Sequence, residues 1–327
     1  MVVDSTDNLI AVLADGQFHS GEELGTQLGV SRTAVWKQVQ KLVELGLDVE
    51  TVKGRGYCVP GGIELFCKHG ILSALSKGAK EQLSQLDILS STDSTNSVAR
   101  LRAEHNDASG YVVLAEQQTA GRGRRGRRWV SPFARNLYLS AVWGFDGGAA
   151  ALEGLSLAVG VAVKRALATC GAVEAELKWP NDVLYKGHKV AGILLEMIGD
   201  PAGFCQVVVG IGVNINMPAN QVSGIDQPWT DLSKVCGKSI SRNQVAASLL
   251  DELLPMLASY HQQGFARYRD EWQGSDAFRG KPVELITANR SVVGTASGVS
   301  EAGAIGLRVD GELHYFNGGE ISLRSAS

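Results

Sequence analysis

The sequence predicts a multidomain α+β fold: an N-terminal winged helix-turn-helix, a central α/β domain on a mixed sheet, and a small C-terminal β-barrel. Three observations predict this class. Apolar residues first recur at helical spacing and end in a hairpin pattern, strand-like runs then alternate with helices, and short strands separated by turns follow Trp272. The length of 327 residues suits more than one domain, and we place the domains at residues 1–62, 63–271 and 272–327.

The composition excludes several classes of protein. Hydrophobic residues make up 44% of the chain, yet no apolar run approaches the ~20 residues that cross a bilayer, so we expect a cytoplasmic protein without membrane contact. The cysteines are dispersed and never spaced C-x-x-C, and we interpret them as reduced packing residues rather than disulfides or metal ligands. They are Cys58, Cys67, Cys170, Cys205 and Cys236. A formal charge of -3 gives no global sign of nucleic-acid binding.

The N-terminal segment has a helix-turn-helix pattern. Residues 8–14 form a first helix, Ser20-Gly21-Glu22-Glu23 is a capping box that opens a second, and Ser31 caps a third. A β-hairpin wing follows, with its turn at Lys53-Gly54-Arg55-Gly56. This order of elements is typical of a winged DNA-binding module.

The third helix and the wing tip carry every basic residue of this module, which favours DNA binding. The side chains expected at the groove and the phosphates are Ser31, Arg32, Thr33, Trp36, Lys37, Lys41, Lys53 and Arg55. The module is nevertheless acidic overall, with five Lys or Arg against eight Asp or Glu. A role in protein contacts is therefore the alternative.

Pro60-Gly61-Gly62 is a natural linker, after which the central domain begins. A strand near residues 86–89 runs into the polar stretch from Ser90 to Asn96, which then opens a helix. Hydroxyl, amide and backbone N–H groups at a helix N-terminus can bind the polar head of a ligand. A simple helix cap is the alternative interpretation.

Residues 118–129 form a loop rich in glycine and arginine between the apolar strands 111–115 and 136–143. The glycines let the backbone turn tightly and approach a ligand, while the arginines supply fork-shaped donors for carboxylate or phosphate. The loop therefore predicts an anion site. Its glycines also satisfy G-x-G-x-x-G, but a strand follows rather than a helix, which excludes a dinucleotide fingerprint.

A second basic site is predicted where three segments meet. A strand ends at Lys178, the turn Trp179-Pro180-Asn181-Asp182 follows, and a hairpin at residues 186–188 returns the chain to Lys189. A lysine in such a position is usually solvated, yet the buried strand after Lys189 puts it at the rim of a core, where its cation can face a bound anion. The glycine-punctuated strand 206–214 would allow close approach of a ligand.

The remaining pattern divides the C-terminal part of the chain. Residues 218–240 are predicted as loop, and Ser241 caps a long helix through Tyr260 that Pro255 must kink. Short strands then follow, with Asp310-Gly311 as a type I′ hairpin signal. These strands predict the small barrel.

Five motifs resemble the family of bifunctional biotin protein ligases and biotin operon repressors. They are Gly121-Arg-Gly-Arg-Arg-Gly126 with Trp129 and Ser131-Pro132, Asn136-Leu-Tyr-Leu-Ser140, Lys178-Trp-Pro-Asn-Asp182, Lys189-Val-Ala-Gly-Ile193 and Gly210-Ile-Gly-Val-Asn214. The resemblance covers the whole chain, and the motifs are jointly highly specific. It implies that the central domain is a ligase domain and that the C-terminal barrel is SH3-like.

The resemblance also implies the site residues. The biotin pocket would be lined by Ser94, Thr95, Asn96, Gln118, Arg122, Gly123, Arg124 and Lys189. The nucleotide would meet Lys178, Asn181, Asn214 and Trp229, with Trp229 stacking near the adenine. Lys189, Arg124 and Asp182 would be the catalytic residues, and Lys189 would contact the biotin carboxylate.

The chemistry of such a site is clear from its substrates. A carboxylate acylates an amine at neutral pH only after its oxygen becomes a good leaving group, which joining it to the α-phosphate of ATP achieves. We therefore expect biotin and ATP with Mg²⁺ to give biotinyl-5′-AMP, and a lysine of the biotin carboxyl carrier protein of acetyl-CoA carboxylase to accept the biotin. Asp182 would be a base or would only orient that lysine. The glycine and arginine loop would close over the adenylate.

As a repressor, the chain would bind biotin operator DNA as a homodimer when the adenylate is bound, with residues 189–198 as a candidate dimer edge. Two alternatives remain. One is a lipoate-type protein ligase, and the other is a metabolite-sensing transcription factor without ligase activity.

Overall fold

The computed structural model describes residues 5–105, 107–218, 221–222, 224–286, 291–318 and 322–325. It contains a helical N-terminal module with a hairpin, a seven-stranded mixed sheet flanked by helices, and a five-stranded antiparallel sheet at the C-terminal end. The predicted class and order of domains are confirmed. Within the described ranges, no helix combines the length and the apolar character needed to cross a membrane.

The N-terminal module has the predicted helices and wing. They are α1 (Ser5–Leu13), α2 (Gly21–Leu28), α3 (Arg32–Glu44), β1 (Glu50–Val52) and β2 (Gly56–Cys58). The capping box forms, because Ser20 Oγ accepts from the Glu23 amide and the Glu23 carboxylate accepts from the Ser20 amide. Gly29 then ends α2 with a φ of 68°, a left-handed conformation that glycine adopts without strain.

The central domain is built on one sheet. Its strands are β3 (Gln85–Leu89), β4 (Tyr111–Ala115), β5 (Leu137–Phe145), β6 (Glu176–Lys178), β7 (Asp182–Tyr185), β8 (His188–Gly199) and β9 (Cys205–Val213). They lie in the order β3-β4-β5-β9-β8-β7-β6. Strands β3 and β4 are parallel, and the other neighbours are antiparallel. The ends of β7, β8 and β9 therefore meet near the predicted basic site.

Helices cover both faces of this sheet. They are α4 (Lys68–Ala74), α5 (Lys77–Gln82), α6 (Thr95–His105), α7 (Leu155–Thr169), α8 (Leu232–Cys236), α9 (Arg242–Gln263) and α10 (Ala266–Gly274). Helix α6 packs Ala99 and Ala103 against one face, and α7 and α9 bury their apolar residues on the other. Because both faces are covered, β9 is buried along nearly its whole length.

Two local predictions were wrong. Residues 218–240 are not loop throughout, because Asp231 caps the short helix α8 by accepting a hydrogen bond from the Lys234 amide at 2.9 Å. Strand β8 is not an edge strand along its whole length, because the β7 hairpin pairs with it over His188 to Gly192. The Ile193 amide also donates to the Asn181 carbonyl at 3.0 Å, so among the described residues the open edge of β8 is limited to residues 194–199, which pair with β9 on the other side.

The cysteines do not all fit the packing interpretation. Cys58, Cys170 and Cys205 are buried and Cys236 is partly buried, all with free thiols. Cys67 is exposed and caps α4, where its Sγ accepts a hydrogen bond from the Gly70 amide. Its role is therefore local rather than one of core packing.

The C-terminal sheet comprises β10 (Pro282–Ile286), β11 (Ser291–Val299), β12 (Ile305–Val309), β13 (Glu312–Phe316) and β14 (Ser322–Ser325). Its order is β13-β12-β11-β10-β14, with every neighbour antiparallel. Asp310 and Gly311 have φ values of 50° and 88°, as a type I′ hairpin requires. Closure of this sheet into an SH3-like barrel stays a prediction.

Candidate active site

Two adjoining cavities lie where the glycine and arginine loop covers the central sheet. Together with the open space at its mouth, the smaller contains about 460 Å³ and the larger about 2050 Å³. They share five lining residues: Gly123, Arg124, Trp129, Asn181 and Lys189. All of the residues predicted for biotin line the smaller cavity, and all of those predicted for the nucleotide line the larger one, together with Asp182. Their roles toward ligands stay predictions.

The floor of the smaller cavity is made by strand glycines whose missing side chains leave room for other residues. A Cβ on Gly212 would lie 2.5 Å from Cε2 of Trp129, so the indole can rest on β9 only because this position is glycine. A Cβ on Gly210 would collide with the amide of Asn96. These glycines therefore place Trp129 and Asn96 rather than merely letting a ligand approach.

The polar wall of the smaller cavity is the first turn of α6. Thr95 donates to Gln118 Oε1 through its amide at 2.9 Å and its hydroxyl at 3.1 Å. Ser140 on β5 donates to the Asn96 side-chain oxygen at 2.6 Å. Ser94, Thr95 and Asn96 are buried, with exposed fractions of 3%, 3% and 4%. Buried side chains with fixed partners form a wall that is preorganised for a polar ligand.

Asp93 precedes this wall and stays negatively charged. Burial tends to raise the pKa of Asp93, but hydrogen bonds from the Ser94 amide and from the Thr92 and Ser97 hydroxyls hold that pKa below its ordinary value, with help from the charge of Arg122. Its Oδ1 lies 2.6 Å from the Ser94 nitrogen. An ionised carboxylate therefore stands beside the first arginine of the loop.

The loop of residues 118–129 folds back on itself. The Gly123 amide donates to the Arg127 carbonyl at 2.7 Å, and Arg125 adopts a φ of 59° at the tip. Arg124 Nη1 donates to Asn181 Oδ1 at 3.1 Å. Burial is the largest cause that lowers the pKa of Arg124, with repulsion from neighbouring arginines, but a guanidinium stays charged at neutral pH. The loop thus presents a partly buried fixed cation at the boundary between the cavities.

Lys189 stands at the same boundary. Its Nζ lies 2.7 Å from Asp182 Oδ1, and both side chains are largely buried. The ammonium also lies 5.2 Å from the ring centroid of Trp129, within the range of a cation–π contact. Strand pairing brings the two charged residues together, because β7 and β8 form the hairpin that carries them.

The larger cavity is built from three parts of the chain. Asn181 Nδ2 donates to the Ile193 carbonyl at 2.8 Å, and Asn214 Nδ2 donates to the Thr230 carbonyl at 3.1 Å, so both amides are held in place. Burial lowers the pKa of Lys178, opposed by the nearby charge of Asp182. The Lys234 ammonium lies over the Trp229 ring, 4.3 Å from the ring centroid. These groups provide donors and an aromatic surface of the kind that a nucleotide needs.

Sequence reasoning missed several residues of the site. Phe278, Leu323, Arg324 and Ser325 line the larger cavity from the C-terminal domain, and no local pattern in the sequence marked them. Glu196 on β8, which bonds to Asn96, was also missed. Its position two residues beyond Leu194 on an alternating strand was the available signal, since Leu194 lines the smaller cavity.

The predicted DNA-contact residues are exposed on α3, at its N-cap and on the wing. Ser31, Arg32, Thr33, Lys37, Lys41, Lys53 and Arg55 are exposed. Trp36 beside them is 51% exposed, which is unusual for a large aromatic residue. The opposite side of α3 buries Val35, Val39 and Leu42 in the core of the module. The exposed side of α3 is therefore largely polar and basic.

The N-terminal module is hydrogen-bonded to the segments beside the cavities. Gln117 Nε2 donates to the Leu45 carbonyl at 3.1 Å, and Gln221 Nε2 donates to the Gly46 carbonyl at 2.7 Å. Both acceptors lie just after α3. Phe133 and Ala134 of the central domain complete the apolar core of the module. The exposed helix is therefore held by residues that flank the site.

Comparison with protein families matches three parts of the chain. The Biotin/lipoate A/B protein ligase family matches residues 88–214, an HTH domain matches residues 6–58, and the Biotin protein ligase C terminal domain matches residues 278–324. Each match falls in one of the three structural parts described above. The ligase match contains both the α6 wall and the Lys189 hairpin.

Relatives match over nearly the full length. The Bifunctional ligase/repressor BirA of Escherichia coli (strain K12) is 42% identical over 318 residues, which cover 97% of each chain. The protein of the same name from Bacillus subtilis (strain 168) is 31% identical over 318 residues, 95% of each. The biotin protein ligase of Aquifex aeolicus, solved in complex with biotin and ATP, superposes with a TM-score of 0.64 at 28% identity. It covers 75% of this chain and 100% of its own.

Proposed function

Because this chain belongs to the family of bifunctional biotin protein ligases and repressors, we propose that it activates biotin with ATP, transfers it to a carrier protein, and represses transcription. It is a ligase that forms biotinyl-5′-AMP as its intermediate. The same chain carries a helix-turn-helix module that binds DNA. The two activities use different surfaces of one molecule.

The observation that carries the ligase function is the meeting of the two cavities at Lys189. A small cavity with a buried polar wall suits biotin, and an adjoining larger cavity with amide and aromatic groups suits the nucleotide. Lys189 and Arg124 line both cavities, so their charges lie where a carboxylate from one would meet a phosphate from the other. This arrangement supports their assignment as catalytic residues.

In the first step the biotin carboxylate attacks the α-phosphorus of ATP, and pyrophosphate leaves. Lys189 and Arg124 offset the negative charge that two anions bring together, and they act through position and electrostatics. Asn181, Asn214, Lys178 and Trp229 hold the nucleotide. The loop of residues 118–129 excludes water from the adenylate.

Mg²⁺ enters this proposal as part of the ATP substrate. Across the described residues, no group of three or more His, Cys, Asp or Glu side chains is arranged to hold a metal ion. Mg²⁺ commonly binds through substrate phosphates and one or two carboxylates, and Asp182 lines the larger cavity. When bound, the ion would offset charge on the phosphates.

In the second step a lysine of the biotin carboxyl carrier protein attacks the acyl carbonyl, and AMP leaves. The acceptor amine must lose a proton to become a nucleophile. Asp182 lies beside Lys189 at the boundary of the cavities, where it can accept that proton or orient the amine. A carboxylate has two oxygens, so Asp182 can accept from Lys189 and from the amine at the same time.

The repressor function rests on the exposed face of α3 and on a dimer. One recognition helix with few basic residues makes too few contacts for selective binding, whereas two copies on a two-fold axis read paired half-sites of the operator. The open edge of β8 at residues 194–199 could pair two ligase sheets. The adenylate would favour this dimer through its affinity for a closed loop.

We assign these functions to residues 1–62 for DNA, 63–271 for ligation and 272–327 for nucleotide contacts.

The ligase assignment is tested by exchange of labelled pyrophosphate into ATP. We expect exchange that depends on biotin and not on lipoate, followed by labelling of a carrier domain with biotin. Exchange driven by lipoate would point to the other branch of the family. Operator binding without any exchange or labelling would leave a transcription factor that lacks ligase activity.

A further inference from the structure

Glu196 on β8 contacts two of the residues that line the smaller cavity. Its Oε2 accepts a hydrogen bond from Asn96 Nδ2 at 2.5 Å and lies 3.5 Å from Arg122 Nη2. Side chains alternate along a strand, so Glu196 lies on the same face of β8 as Gly192 and Leu194 of the cavity lining. One carboxylate therefore joins the wall of the cavity to the loop that covers it.

The first of these contacts fixes the Asn96 amide. The side-chain oxygen of Asn96 accepts from Ser140 and its nitrogen donates to Glu196, so the two ends of the amide have partners of opposite type. This arrangement allows one orientation of the amide. Because Asn96 is buried, removal of the Glu196 oxygen would leave the nitrogen without its acceptor, which is costly.

The second contact holds the loop. Arg122 Nη2 also donates to Ser97 Oγ at 3.2 Å, so the guanidinium bridges the first turn of α6 and β8. The Arg122 side chain is 43% exposed, whereas that of Glu196 is 23% exposed. Solvent screens such a pair, so its contribution is smaller than that of the buried contact to Asn96.

We propose that Glu196 is a positioning residue of the ligase: it orients the Asn96 amide toward the polar head of biotin, and through Arg122 it holds the loop over the cavity. The proposal rests on the biotin ligase function. Glu196 itself does not line either cavity, so it acts through Asn96 and Arg122 rather than on the substrate. The two contacts predict two separable defects.

Two substitutions separate the contacts. Glu196→Gln keeps an oxygen that can accept from Asn96 but loses the charge that attracts Arg122, whereas Glu196→Ala loses both. We expect E196A to release biotin about 10 to 100 times faster, since a buried amide loses its partner. E196Q should release biotin within about threefold of the unsubstituted rate, since only the screened pair is lost. Both variants should release biotinyl-5′-AMP faster.

The experiment measures dissociation of labelled biotin and labelled biotinyl-5′-AMP from the full chain, chased with excess unlabelled ligand. Glu104→Gln is the matched control, because Glu104 is an acid on α6 that pairs with Arg100 at 2.8 Å and lines neither cavity. Thermal unfolding of each variant monitors the fold. A general structural defect would accelerate the release of both ligands in both variants, whereas the positioning role spares biotin in E196Q.

Rates in E196A and E196Q equal to those of E104Q would overturn the proposal, as would equal loss of biotin in the two Glu196 variants. If the unsubstituted chain retains neither ligand, the ligase function itself is wrong. Retention by the unsubstituted chain with unchanged variants contradicts only the role of Glu196.

Discussion

The Lys189 ammonium and the Asp182 carboxylate form an ion pair at the boundary of the two cavities, with their side chains 14% and 13% exposed. Each charge is the ion-pair partner of the other, and Asp182 also interacts with the charges of Lys178 and Arg124. The pair also keeps the ammonium beside the ring of Trp129. A substitution at either position therefore changes the local charge as well as the chemistry, and its kinetics must be measured alongside its stability.

Lys189→Ala should slow adenylate formation at least ~100-fold, since loss of one preorganised charge costs roughly 3 to 4 kcal/mol in the transition state. The measurement is single-turnover formation of biotinyl-5′-AMP. Lys186→Ala, at the exposed tip of the same hairpin, is the control and should react normally. Near-normal adenylation by a folded Lys189→Ala protein would contradict the catalytic role.

Arg124→Gly should still form the adenylate but leak it. Arg124 tethers the loop to Asn181, and a loop that closes poorly neither holds the intermediate nor excludes water. Released adenylate should then label exposed lysines on an unrelated protein mixed with the variant. Labelling confined to the carrier domain would contradict the role of Arg124 in holding the adenylate.

Gly212→Ala should weaken ligand binding with little loss of fold. The added Cβ would lie 2.5 Å from the Trp129 ring and would displace the indole from the boundary of the two cavities. Displacement of this lining side chain should weaken biotin binding about tenfold or more. The affinity is to be measured by calorimetry. Gly78→Ala is the control, because a Cβ at Gly78 on α5 would have no neighbour within 4 Å. Equal affinities for the two variants would show that Trp129 does not depend on the glycine.

Arg242→Met should destabilise the chain. Arg242 is 3% exposed, donates to Glu116 at 2.6 Å, and stacks its guanidinium 3.9 Å from the Phe66 ring centroid. Removing one partner of a buried pair typically costs about 3 to 5 kcal/mol, because the other charge stays buried. The chemical unfolding midpoint should fall clearly, whereas Arg100→Met, which breaks the exposed pair with Glu104, should leave it unchanged. Similar midpoints in both variants would show that the buried pair stabilises the chain no more than the exposed pair does.

Operator binding should depend on whether the chain holds biotinyl-5′-AMP. We expect weak binding without ligands, tight binding of two protomers per palindromic site with biotin and ATP, and loss of binding when unbiotinylated carrier protein consumes the adenylate. The comparison is made at one fixed salt concentration, because phosphate contacts make affinity salt-dependent. Unchanged binding in all three conditions, or one protomer per site, would remove the proposed switch and leave the ligase unaffected.

Local signals predicted the local structure well. The capping box at Ser20 and the type I′ hairpin turn at Asp310-Gly311 follow from short-range backbone chemistry, and both are present. Helix α8 was missed because it has only five residues, too few for a periodic signal. The hairpin at residues 186–188 was predicted, but the length over which its two strands pair was not, and that length decides how much of β8 remains an open edge.

Site residues that lie within short sequence motifs could be predicted. The loop of residues 118–129 and the Lys189 hairpin carry their chemistry in consecutive residues. By contrast, Glu196 meets Asn96 across a sequence separation of 100 residues, and Arg324 reaches the larger cavity from another domain. Contacts of this kind depend on the packing of distant elements, and no periodicity or spacing records them.

The end of β4 has one further consequence. Three consecutive side chains there serve three parts of the chain: Glu116 binds Arg242, Gln117 binds the Leu45 carbonyl after α3, and Gln118 binds Thr95 of the cavity wall. The position of the recognition helix α3 is therefore set by contacts with the ligase domain and not by the Pro60-Gly61-Gly62 linker. In a dimer formed through the ligase sheet, the spacing between operator half-sites would be inherited from the ligase domains, and lengthening the linker would leave that spacing unchanged.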